Sequence, residues 1–468
     1  MPHAHEAGWA HADGALRPSW LRQPADPNQL VQHLWSTTAR KVDGVLEVGG
    51  VPLTALVAEH GSPAYVLDEA DFRARARAFR DAFADYDVFY AGKAFLCTTT
   101  ARWIAEEGLC LDVCSGGELT VAERAGFDMS RVGFHGNNKS VAELRRAVGL
   151  GVGRIIVDSF VEIERLAAVV AELGAAARVM IRVTAGVEAH THEYIATAHE
   201  DQKFGFSITS GDAFDAVRRV QDAAGLELLG LHSHIGSQIF DSSGFEVAAR
   251  RVLALQARIS EELGVTLPEM DLGGGFGIAY TTQDDPSDPS QLATEMTKIV
   301  EHECRALSIP QPRLSIEPGR AIVGPSMCTV YEVGTVKDVA LDGGACRTYV
   351  SVDGGMSDNI RTALYDADYS CTLASRASDA APVLSRVVGM HCEAGDIVVK
   401  DEFLPSDLAP GDLVAVPGTG AYCRSMASNY NHALRPPVVA VRDGAAHVVV
   451  RRETVDDLLA TDVGAISG

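Results

Sequence analysis

Short apolar runs alternate with longer amphipathic stretches from about residue 88 to residue 317. The runs are rich in β-branched and aromatic residues, and the stretches between them, such as 140–148 and 245–263, have the apolar spacing of helices. Eight strands with helical crossovers over about 250 residues are typical of an α/β fold whose parallel sheet closes into a TIM-like (β/α)8 barrel. A doubly wound open sheet is the alternative, and the number of strands favours closure. The predicted strands are 88–91, 109–113, 132–135, 154–158, 178–184, 226–234, 270–273 and 313–317.

The pattern changes after Pro318 and Gly319. Short strand-like runs separated by turn signals, including Asp342-Gly343-Gly344, then predict an antiparallel β-sandwich or β-barrel domain that also takes in an N-terminal strand at 64–67. We therefore divide the chain into a disordered tail with three histidines (His3, His5, His11), an N-terminal segment joining the β domain, the barrel and the β domain. These parts cover residues 1–30, 31–65, 66–320 and 321–468.

Composition narrows the class of protein. The chain has 468 residues, of which 47% are hydrophobic, and a net charge of −23. An acidic chain of this kind argues against nucleic acid or an anionic membrane as a partner. No apolar run reaches the roughly 20 residues of a membrane helix, and the N-terminus has no secretory pattern. The nine cysteines show no C-x-x-C spacing, which predicts a reduced, cytoplasmic protein without bound metal.

Chemically capable residues follow most of the predicted barrel strands, where parallel barrels place their active sites. The first strand ends at Lys93, whose amine can bind a carbonyl as a Schiff base when it is kept neutral. An ordinary surface lysine is the alternative for this residue alone. The other strand ends carry Asp112 to Glu118, His135 to Asn138, His232 to Gln238, Asp271 to Gly277, and Glu317 to Arg320.

These strand ends contain the parts of a phosphate and pyridine site. Gly273–Gly275 lets backbone N–H groups approach an anion, with Ser237 and Arg320 on neighbouring strands. Glu317 needs a partner, which is either Arg320 or a protonated ring nitrogen. His234 either lies flat against a planar ligand or is an ordinary core histidine. Together with Lys93, these residues predict a pyridoxal 5'-phosphate site.

Eight stretches in this order extend the prediction to a family. They are YAGKA, DVCSGGEL, HEDQKFGFS, HSHIGSQ, LGGGFG, EPGR, HCEAGD and GAYCRSMASNYN. On these motifs the chain resembles the alanine-racemase-fold pyridoxal phosphate decarboxylases, and within them the diaminopimelate decarboxylases, from about residue 45 to 460. The common family form of the HCEAGD motif reads C-E-S-G-D, and Ala394 replaces its serine here.

The resemblance implies roles for individual residues. The lysine matching Lys93 holds the cofactor, the histidine matching His234 stacks on its ring, and the tyrosine matching Tyr422 contacts cofactor and substrate. The family is a homodimer with shared sites, to which the partner subunit contributes the residues matching Cys392 and Glu393. The ring nitrogen and phosphate are held by the residues matching Ser237, Gly275, Glu317, Pro318, Gly319 and Arg320.

Substrate choice follows from the ends of the substrate molecule. The distal end of meso-diaminopimelate carries a carboxylate and an ammonium, so its site needs a cation that ornithine does not require. Arg361 and Tyr365 are four residues apart and share one face if this stretch is helical. The resemblance implies that Arg320, Arg361 and Tyr365 bind substrate carboxylate and that Glu393 faces the distal ammonium. Cys392 is the candidate acid that protonates the α-carbon.

The expected reaction is decarboxylation of meso-2,6-diaminopimelate to L-lysine and carbon dioxide, the last step of lysine biosynthesis. A decarboxylase of ornithine, arginine or a carboxylated polyamine is the first alternative. A racemase and a non-catalytic pyridoxal phosphate-binding homologue are the others. His190, His192 and Lys203 belong either to a mobile loop at the site or to an ordinary solvated loop.

Overall fold

A computed structural model describes residues 17–186, 203–341 and 346–465. The predicted turn at 342–344 and the histidines at 3, 5, 11, 190 and 192 lie outside the described residues. The chain forms two compact units. One unit comprises Arg73–Gly277 and Pro286–Ile322, and the other comprises Met1–Phe72, Ile278–Asp285 and Val323–Gly468.

The described strands and helices follow one another in the order that the hydrophobic pattern predicts for the barrel. In chain order the strands are β1 (Arg40–Val42), β2 (Val45–Val48), β3 (Val51–Pro52), β4 (Ala64–Asp68), β5 (Tyr86–Ala91), β6 (Cys110–Val113), β7 (Val132–Phe134), β8 (Arg154–Val157), β9 (Ala177–Thr184), β10 (Phe206–Ser207), β11 (Leu226–His232), β12 (Glu269–Asp271), β13 (Arg313–Ile316), β14 (Met327–Ala340), β15 (Cys346–Val352), β16 (Thr372–Leu373), β17 (Pro382–Val388), β18 (Ile397–Pro405), β19 (Leu413–Val416), β20 (Val438–Arg442) and β21 (Ala445–Val450). The α-helices are α1 (Leu53–His60), α2 (Glu69–Ala82), α3 (Thr98–Glu106), α4 (Gly116–Ala125), α5 (Val141–Leu150), α6 (Phe160–Leu173), α7 (Asp212–Asp222), α8 (Ser243–Leu263), α9 (Pro289–Leu307), α10 (Arg320–Val323), α11 (Arg361–Tyr365) and α12 (Val455–Leu459).

The first unit is a closed parallel barrel, which confirms the predicted fold. Strands β5 to β9 and β11 to β13 pair with their neighbours, and β13 pairs with β5 to close the ring. The pairing β8–β9 completes the circuit. The short β10 adds to the edge of β9. Because all eight strands are parallel, their carboxyl ends meet at one rim.

Local sequence signals fix where the barrel helices begin and end. Ser115, Ser140 and Ser159 accept a backbone N–H from the third residue of α4, α5 and α6, which satisfies an otherwise unpaired donor. The same helices end at glycines with positive φ, which L-residues rarely adopt. Each helix therefore starts directly after a strand end and returns the chain to the opposite rim.

The second unit is a β domain built around the long strand β14. This strand pairs antiparallel with β15, β19 and the N-terminal strand β4, so the predicted contribution of that strand is confirmed. Two pairings, β4–β20 and β15–β17, are parallel, so the sheet is mixed where the sequence predicted an antiparallel one. Its buried core includes Leu46, Val66, Val330 and Val439.

Residues 17–30, which the sequence assigned to a disordered tail, form turns that contact the β domain. Leu21 is buried, and the Asn28 amide donates to the carbonyl of Ser378 at 2.8 Å. Burial of an apolar side chain and a paired amide order this segment. Among the described residues, no helix is long and apolar enough to cross a membrane.

Candidate active site

Lys93 lies at the carboxyl rim of the barrel, as its position after a predicted strand implies. It occupies a 3-10 turn, Gly92–Ala94, that directly follows β5, and its side chain is exposed. A Cβ on Gly92 would come within 2.8 Å of the Asp112 carbonyl oxygen, so this turn packs tightly against the end of β6. The ammonium acts electrostatically on Asp112 and His234, which places its charge among the other strand-end groups.

The glycine run after β12 brings bare backbone against two neighbouring strand ends. A Cβ on Gly273, Gly274 or Gly275 would lie 2.4 Å, 2.3 Å or 2.5 Å from a backbone oxygen of Ser233, Glu317 or Gly236, respectively. Gly273 and Gly275 also have φ of +74° and +109°. Only glycine fits these positions, and the resulting loop exposes the kind of backbone surface that can approach an anion closely.

Arg320 and Ser237 meet beside this glycine loop. Arg320, at the first turn of α10, donates to the Ser237 hydroxyl at 2.8 Å. A Cβ on Gly319 would come within 2.9 Å of Ala91, and the Ala91 N–H donates to the Pro318 carbonyl at 3.3 Å. The Glu317–Arg320 segment is therefore packed directly on the strand that leads to Lys93.

His234 is fixed by the glycine loop. The N–H of Gly274 donates to His234 Nδ1 at 3.3 Å, so Nδ1 is the acceptor nitrogen of this imidazole. Burial, and then the positive charge of Lys93, lower the pKa of His234 well below its usual value. A neutral imidazole at this rim suits contact with the face of a planar ligand.

Glu317 is buried and is held by two histidines. Its Oε1 lies 2.9 Å from His232 Nε2 and 3.3 Å from His135 Nε2. Burial alone raises the pKa of Glu317, but the two histidines outweigh burial and hold it well below its usual value. The recorded contacts of Glu317 are thus with histidines, whereas the sequence suggested Arg320 as its protein partner.

The β domain contains the predicted substrate arginine in an unusual setting. Arg361 is 5% exposed, and its Nη1 donates to the Tyr369 hydroxyl. Its guanidinium carbon lies 4.5 Å from the ring centre of Tyr280 and 5.5 Å from that of Tyr369. Its Nε is buried without a hydrogen-bond partner, and no ion pair joins it to a carboxylate among the described residues.

The stretch that begins at Arg361 is helical, which is the condition for Arg361 and Tyr365 to share one face, and this helix, α11, ends at the partly exposed Tyr365. Sequence reasoning missed Tyr280 and Tyr369, because neither belongs to a strand end or a recognised motif. A cation–π contact with the tyrosines stabilises a buried guanidinium but does not neutralise it. This arginine therefore keeps a net positive charge for an anionic ligand.

Cys392 and Glu393 are exposed on a tightly anchored loop of the β domain. Asp396 accepts the backbone N–H groups of Met356 at 2.6 Å and His391 at 2.8 Å. The His391 ring lies 2.8 Å from the Ser357 hydroxyl, which ties the loop to the turn before α11. Tyr422, in the same domain, has φ of +62°, a conformation that costs energy for a bulky residue.

Comparison with known proteins agrees with this architecture. A model of the pyridoxal-binding domain of pyridoxal-dependent decarboxylases matches residues 69–324. Diaminopimelate decarboxylase of Mycobacterium tuberculosis is 57% identical over 440 residues, which cover 93% of this chain and 98% of that protein. The Mycobacterium leprae enzyme of that name is 54% identical over 468 residues, which cover 98% and 99%.

Solved structures give the same result. Diaminopimelate decarboxylase from M. jannaschii in complex with L-lysine has a TM-score of 0.85 and 29% identity, covering 92% of this chain and 98% of that one. The Helicobacter pylori enzyme complexed with L-lysine has a TM-score of 0.79 and 30% identity, covering 87% and 98%.

The barrel, its strand-end lysine and its glycine loop define a pyridoxal phosphate-dependent decarboxylase of the alanine-racemase fold. Within this class the chain belongs to the diaminopimelate decarboxylase family. The strand-end residues fit the cofactor of that family. They offer an exposed amine at Lys93, a backbone cradle that side chains would fill, the Arg320–Ser237 pair for a phosphate and the buried Glu317 for a ring nitrogen.

Proposed function

We propose that this chain decarboxylates meso-2,6-diaminopimelate to L-lysine and carbon dioxide, with pyridoxal phosphate as cofactor. Relatives that are 43–57% identical over nearly the whole chain carry the name diaminopimelate decarboxylase. We further propose that the enzyme is cytoplasmic, a reading supported by nine cysteines that are all free thiols.

The observation that carries the substrate assignment is the buried guanidinium of Arg361. A buried cation without a carboxylate partner is costly, and an incoming carboxylate removes that cost while forming charge-assisted hydrogen bonds. The distal end of meso-diaminopimelate supplies such a carboxylate. Ornithine and arginine end in a cation, which Arg361 would repel.

The barrel residues have proposed roles in holding the cofactor. Lys93 is the amine that binds the cofactor aldehyde, and His234 stacks on the ring. The ionised carboxylate of Glu317 accepts a hydrogen bond from the ring nitrogen and so keeps that nitrogen protonated. The cofactor, when bound, withdraws the electron pair that the departing carboxylate leaves on the α-carbon. The phosphate is held by Ser237, Gly275, Gly319 and Arg320, with Pro318 fixing the turn between them.

Residues of the β domain have proposed roles toward the substrate. Arg361 and Tyr365, with Arg320, bind carboxylate, and Glu393 binds the distal ammonium. The Cys392 thiol donates a proton to the α-carbon after carbon dioxide leaves. Tyr422 contacts cofactor and substrate, and its left-handed backbone is the kind of local strain that occurs at functional sites.

We propose that the enzyme is a homodimer in which Cys392 and Glu393 serve the partner's site. Support comes from the exposure of both side chains on an anchored loop. Apolar groups beside this loop are also exposed, at 52% for Met390 and 42% for Tyr430, whose ring centre lies 5.1 Å from that of His391, as expected of a surface that a second copy covers.

A carbon dioxide release assay tests the substrate assignment. We expect release from meso-diaminopimelate and none above background from ornithine, arginine or lysine. Arg361→Ala should lower kcat/KM for meso-diaminopimelate by roughly 100-fold or more, because it removes one partner of a buried charge pair. The visible absorbance of bound cofactor should persist in this variant.

The exposed Arg442 of β20 provides the matched control, since Arg442→Ala removes a guanidinium of the same domain from the surface. A preference for ornithine over meso-diaminopimelate would contradict the assignment. So would an Arg361→Ala protein that loses cofactor binding and turnover in equal measure, because that result indicates a folding defect.

A further inference from the structure

Four ionisable side chains at the barrel rim form a buried cluster of which the proposed function uses only one. Asp112, His135, His232 and Glu317 lie at the ends of β6, β7, β11 and β13, and none is more than 6% exposed. Two of them, His135 and His232, have no role in the chemistry described above. Buried ionisable groups are costly unless they are paired, so their arrangement calls for a physical reason.

The two imidazoles converge on a single carboxylate oxygen. His232 Nε2 is 2.9 Å and His135 Nε2 is 3.3 Å from Glu317 Oε1. An ionised carboxylate only accepts hydrogen bonds, so an N–H on Nε2 is the favourable tautomer for His232. His135 Nε2 also lies 3.2 Å from Asp112 Oδ1, and therefore sits between two acids.

The two acids are driven to opposite protonation states. Burial, followed by the negative charge of Glu317, raises the pKa of Asp112 well above its usual value. The neighbouring histidines hold the pKa of Glu317 low despite its burial, while burial also lowers the pKa of His135 well below its usual value, so His135 acts here as a neutral imidazole. Carboxylates that share a site divide one proton in this manner. Other charged or titratable groups that interact electrostatically with the pair are Lys93, Cys114, Arg154, Arg182, His234 and Asp271.

Arg154, Asp271 and Ser315 form a hydrogen-bonded group next to the cluster. Arg154 forms an ion pair with Asp271 and donates a hydrogen bond to the Ser315 hydroxyl at 3.0 Å. The Ser315 hydroxyl in turn donates a hydrogen bond to Asp271 at 2.8 Å. These contacts direct the guanidinium of Arg154 toward Asp271. The side chains that lie against the Glu317 carboxylate are those of His232 and His135.

We propose that His232 and His135 are positioning residues that hold Glu317 as the ionised partner of the cofactor ring nitrogen, while Asp112 keeps the proton that the two acids share. This inference rests on the proposed role of Glu317. The histidines act through Glu317 and touch neither substrate nor reacting atoms. Their function is to keep one carboxylate charged and correctly oriented in a site that excludes water.

A pair of variants at His232 tests the positioning role. His232→Gln keeps an amide N–H near the position of Nε2, whereas His232→Leu removes the donor and keeps comparable bulk. We expect His232→Leu to lower kcat by roughly 10- to 100-fold, the usual effect of losing a hydrogen bond to a charged group, with KM for meso-diaminopimelate within about threefold. His232→Gln should recover most of that loss, and His135→Gln should behave in the same way as His232→Gln.

The second readout is the 15N chemical shift of the ring nitrogen in isotopically labelled bound cofactor as a function of pH, which reports protonation of that nitrogen without turnover. We expect the ring nitrogen of the cofactor to lose its proton at a lower pH in His232→Leu than in wild type. Cofactor affinity should fall by roughly 10-fold or more as well. The exposed His302 of α9 supplies the control, and His302→Leu should match wild type in both measurements.

Asp112→Asn tests where the shared proton resides. In wild type, loss of the Asp112 proton at high pH should shift the signal of the ring nitrogen. This transition should be absent from Asp112→Asn, because the amide has no acidic proton to lose. An unchanged transition overturns the assignment to Asp112. Equal kcat values and equal spectra for His232→Leu and wild type overturn the positioning role.

Metal binding provides a further discriminating result. Nitrogen and oxygen atoms of His135, His232 and Glu317 lie within 4.8 Å of one another, as a two-histidine, one-carboxylate metal site requires. Stoichiometric Zn²⁺ binding by the cofactor-loaded enzyme, lost in His232→Leu, would overturn the proposal in favour of a metal site. If only the substrate assignment is wrong, meso-diaminopimelate will release no carbon dioxide, while the cofactor spectra of His232→Leu and Asp112→Asn will still differ from wild type as expected.

Discussion

At the residue scale, the groups around Lys93 support its proposed role as the amine that binds the cofactor. Its charge acts on Asp112, Cys114 and Glu118, which all belong to the end of β6 or the helix after it. Burial raises the pKa of Cys114 to about 12, so this neighbouring thiol stays protonated and does not compete as a nucleophile. This difference supports the proposal that Lys93 is the nucleophile at this part of the rim.

Lys93→Ala should abolish both the visible absorbance of the bound cofactor and carbon dioxide release, because no other amine replaces the covalent attachment. The exposed Lys298 of α9 gives a matched control within the same unit, and Lys298→Ala should retain both signals. An unchanged cofactor spectrum in Lys93→Ala would assign the attachment to another residue.

Single residues also show what a sequence reveals about a site. Lys93, Gly275 and Glu317 were predictable because a parallel barrel brings all its strand ends to one rim. The role of Tyr369 was not, because its contact with Arg361 depends on the path of the chain after α11. The buried position of His232 was accessible in principle, since it lies two residues before His234 in the predicted strand 226–234, and residues two apart on a strand share one face.

At the element scale, the turn before α11 and the loop carrying Cys392 form one anchored structure. Asp396 binds the backbone of both segments, and Cβ atoms on Gly355 or Gly389 would come within 2.5 Å or 2.2 Å of its carboxylate. Glycine at both positions allows the carboxylate to approach the backbone. The loop is consequently rigid at its base while Cys392 and Glu393 remain exposed at its tip.

The same turn contains a carboxyl group that makes stability depend on pH. Burial raises the pKa of Asp358 from 3.8 to about 7, although Tyr331 and the Gly355 N–H donate to it. The folded protein thus retains this proton up to about pH 7, while the unfolded chain releases it above about pH 4. Its contribution to the free energy of unfolding is complete below the unfolded pKa and is lost as pH rises toward 7.

Asp358→Asn should remove that dependence. Between pH 5 and pH 7, the free energy of unfolding of wild type should fall relative to the variant by about 1.4 kcal/mol per pH unit, and the difference should level off above pH 7. Denaturant unfolding at several pH values measures it. The exposed Asp379 is the control, and a parallel pH dependence of wild type and Asp358→Asn would refute the prediction.

Elements differ in how well the sequence defines them. The barrel strands agree with prediction to within about two residues, because each is a buried apolar run bounded by helix caps. Strand β17 was missed, since Ser385 and Arg386 interrupt its apolar pattern. The parallel pairings of β4 and β15 are set by tertiary register, which local patterns do not encode.

At the scale of the whole molecule, the chain path is less simple than a division at residues 66 and 320. Ile278–Asp285 leaves the barrel unit and belongs to the unit that contains the β domain. That excursion supplies Tyr280, one of the two rings against Arg361. A segment that interrupts the barrel sequence thus supplies one of the rings around Arg361, which a linear division of the sequence cannot reveal.

A homodimer with shared sites predicts complementation between two inactive variants. Lys93→Ala lacks the cofactor amine, and Cys392→Ala lacks the proposed proton donor of the partner's site. A heterodimer of the two has one site with both defects and one site with neither. Random mixing after dissociation should restore up to about a quarter of wild-type activity, because half of the dimers are then mixed and each has one intact site.

The measurement requires tagged subunits, so that heterodimers are purified before carbon dioxide release is assayed. Mixing Lys93→Ala with Lys93→Ala that also carries Cys392→Ala is the matched control and should restore nothing, since no site then has the lysine. Verified heterodimers without activity would show that Lys93 and Cys392 act within one subunit. Recovered activity would instead establish that the exposed Cys392 loop completes a site on the second copy of the chain, which explains why Cys392 lies on an anchored surface loop.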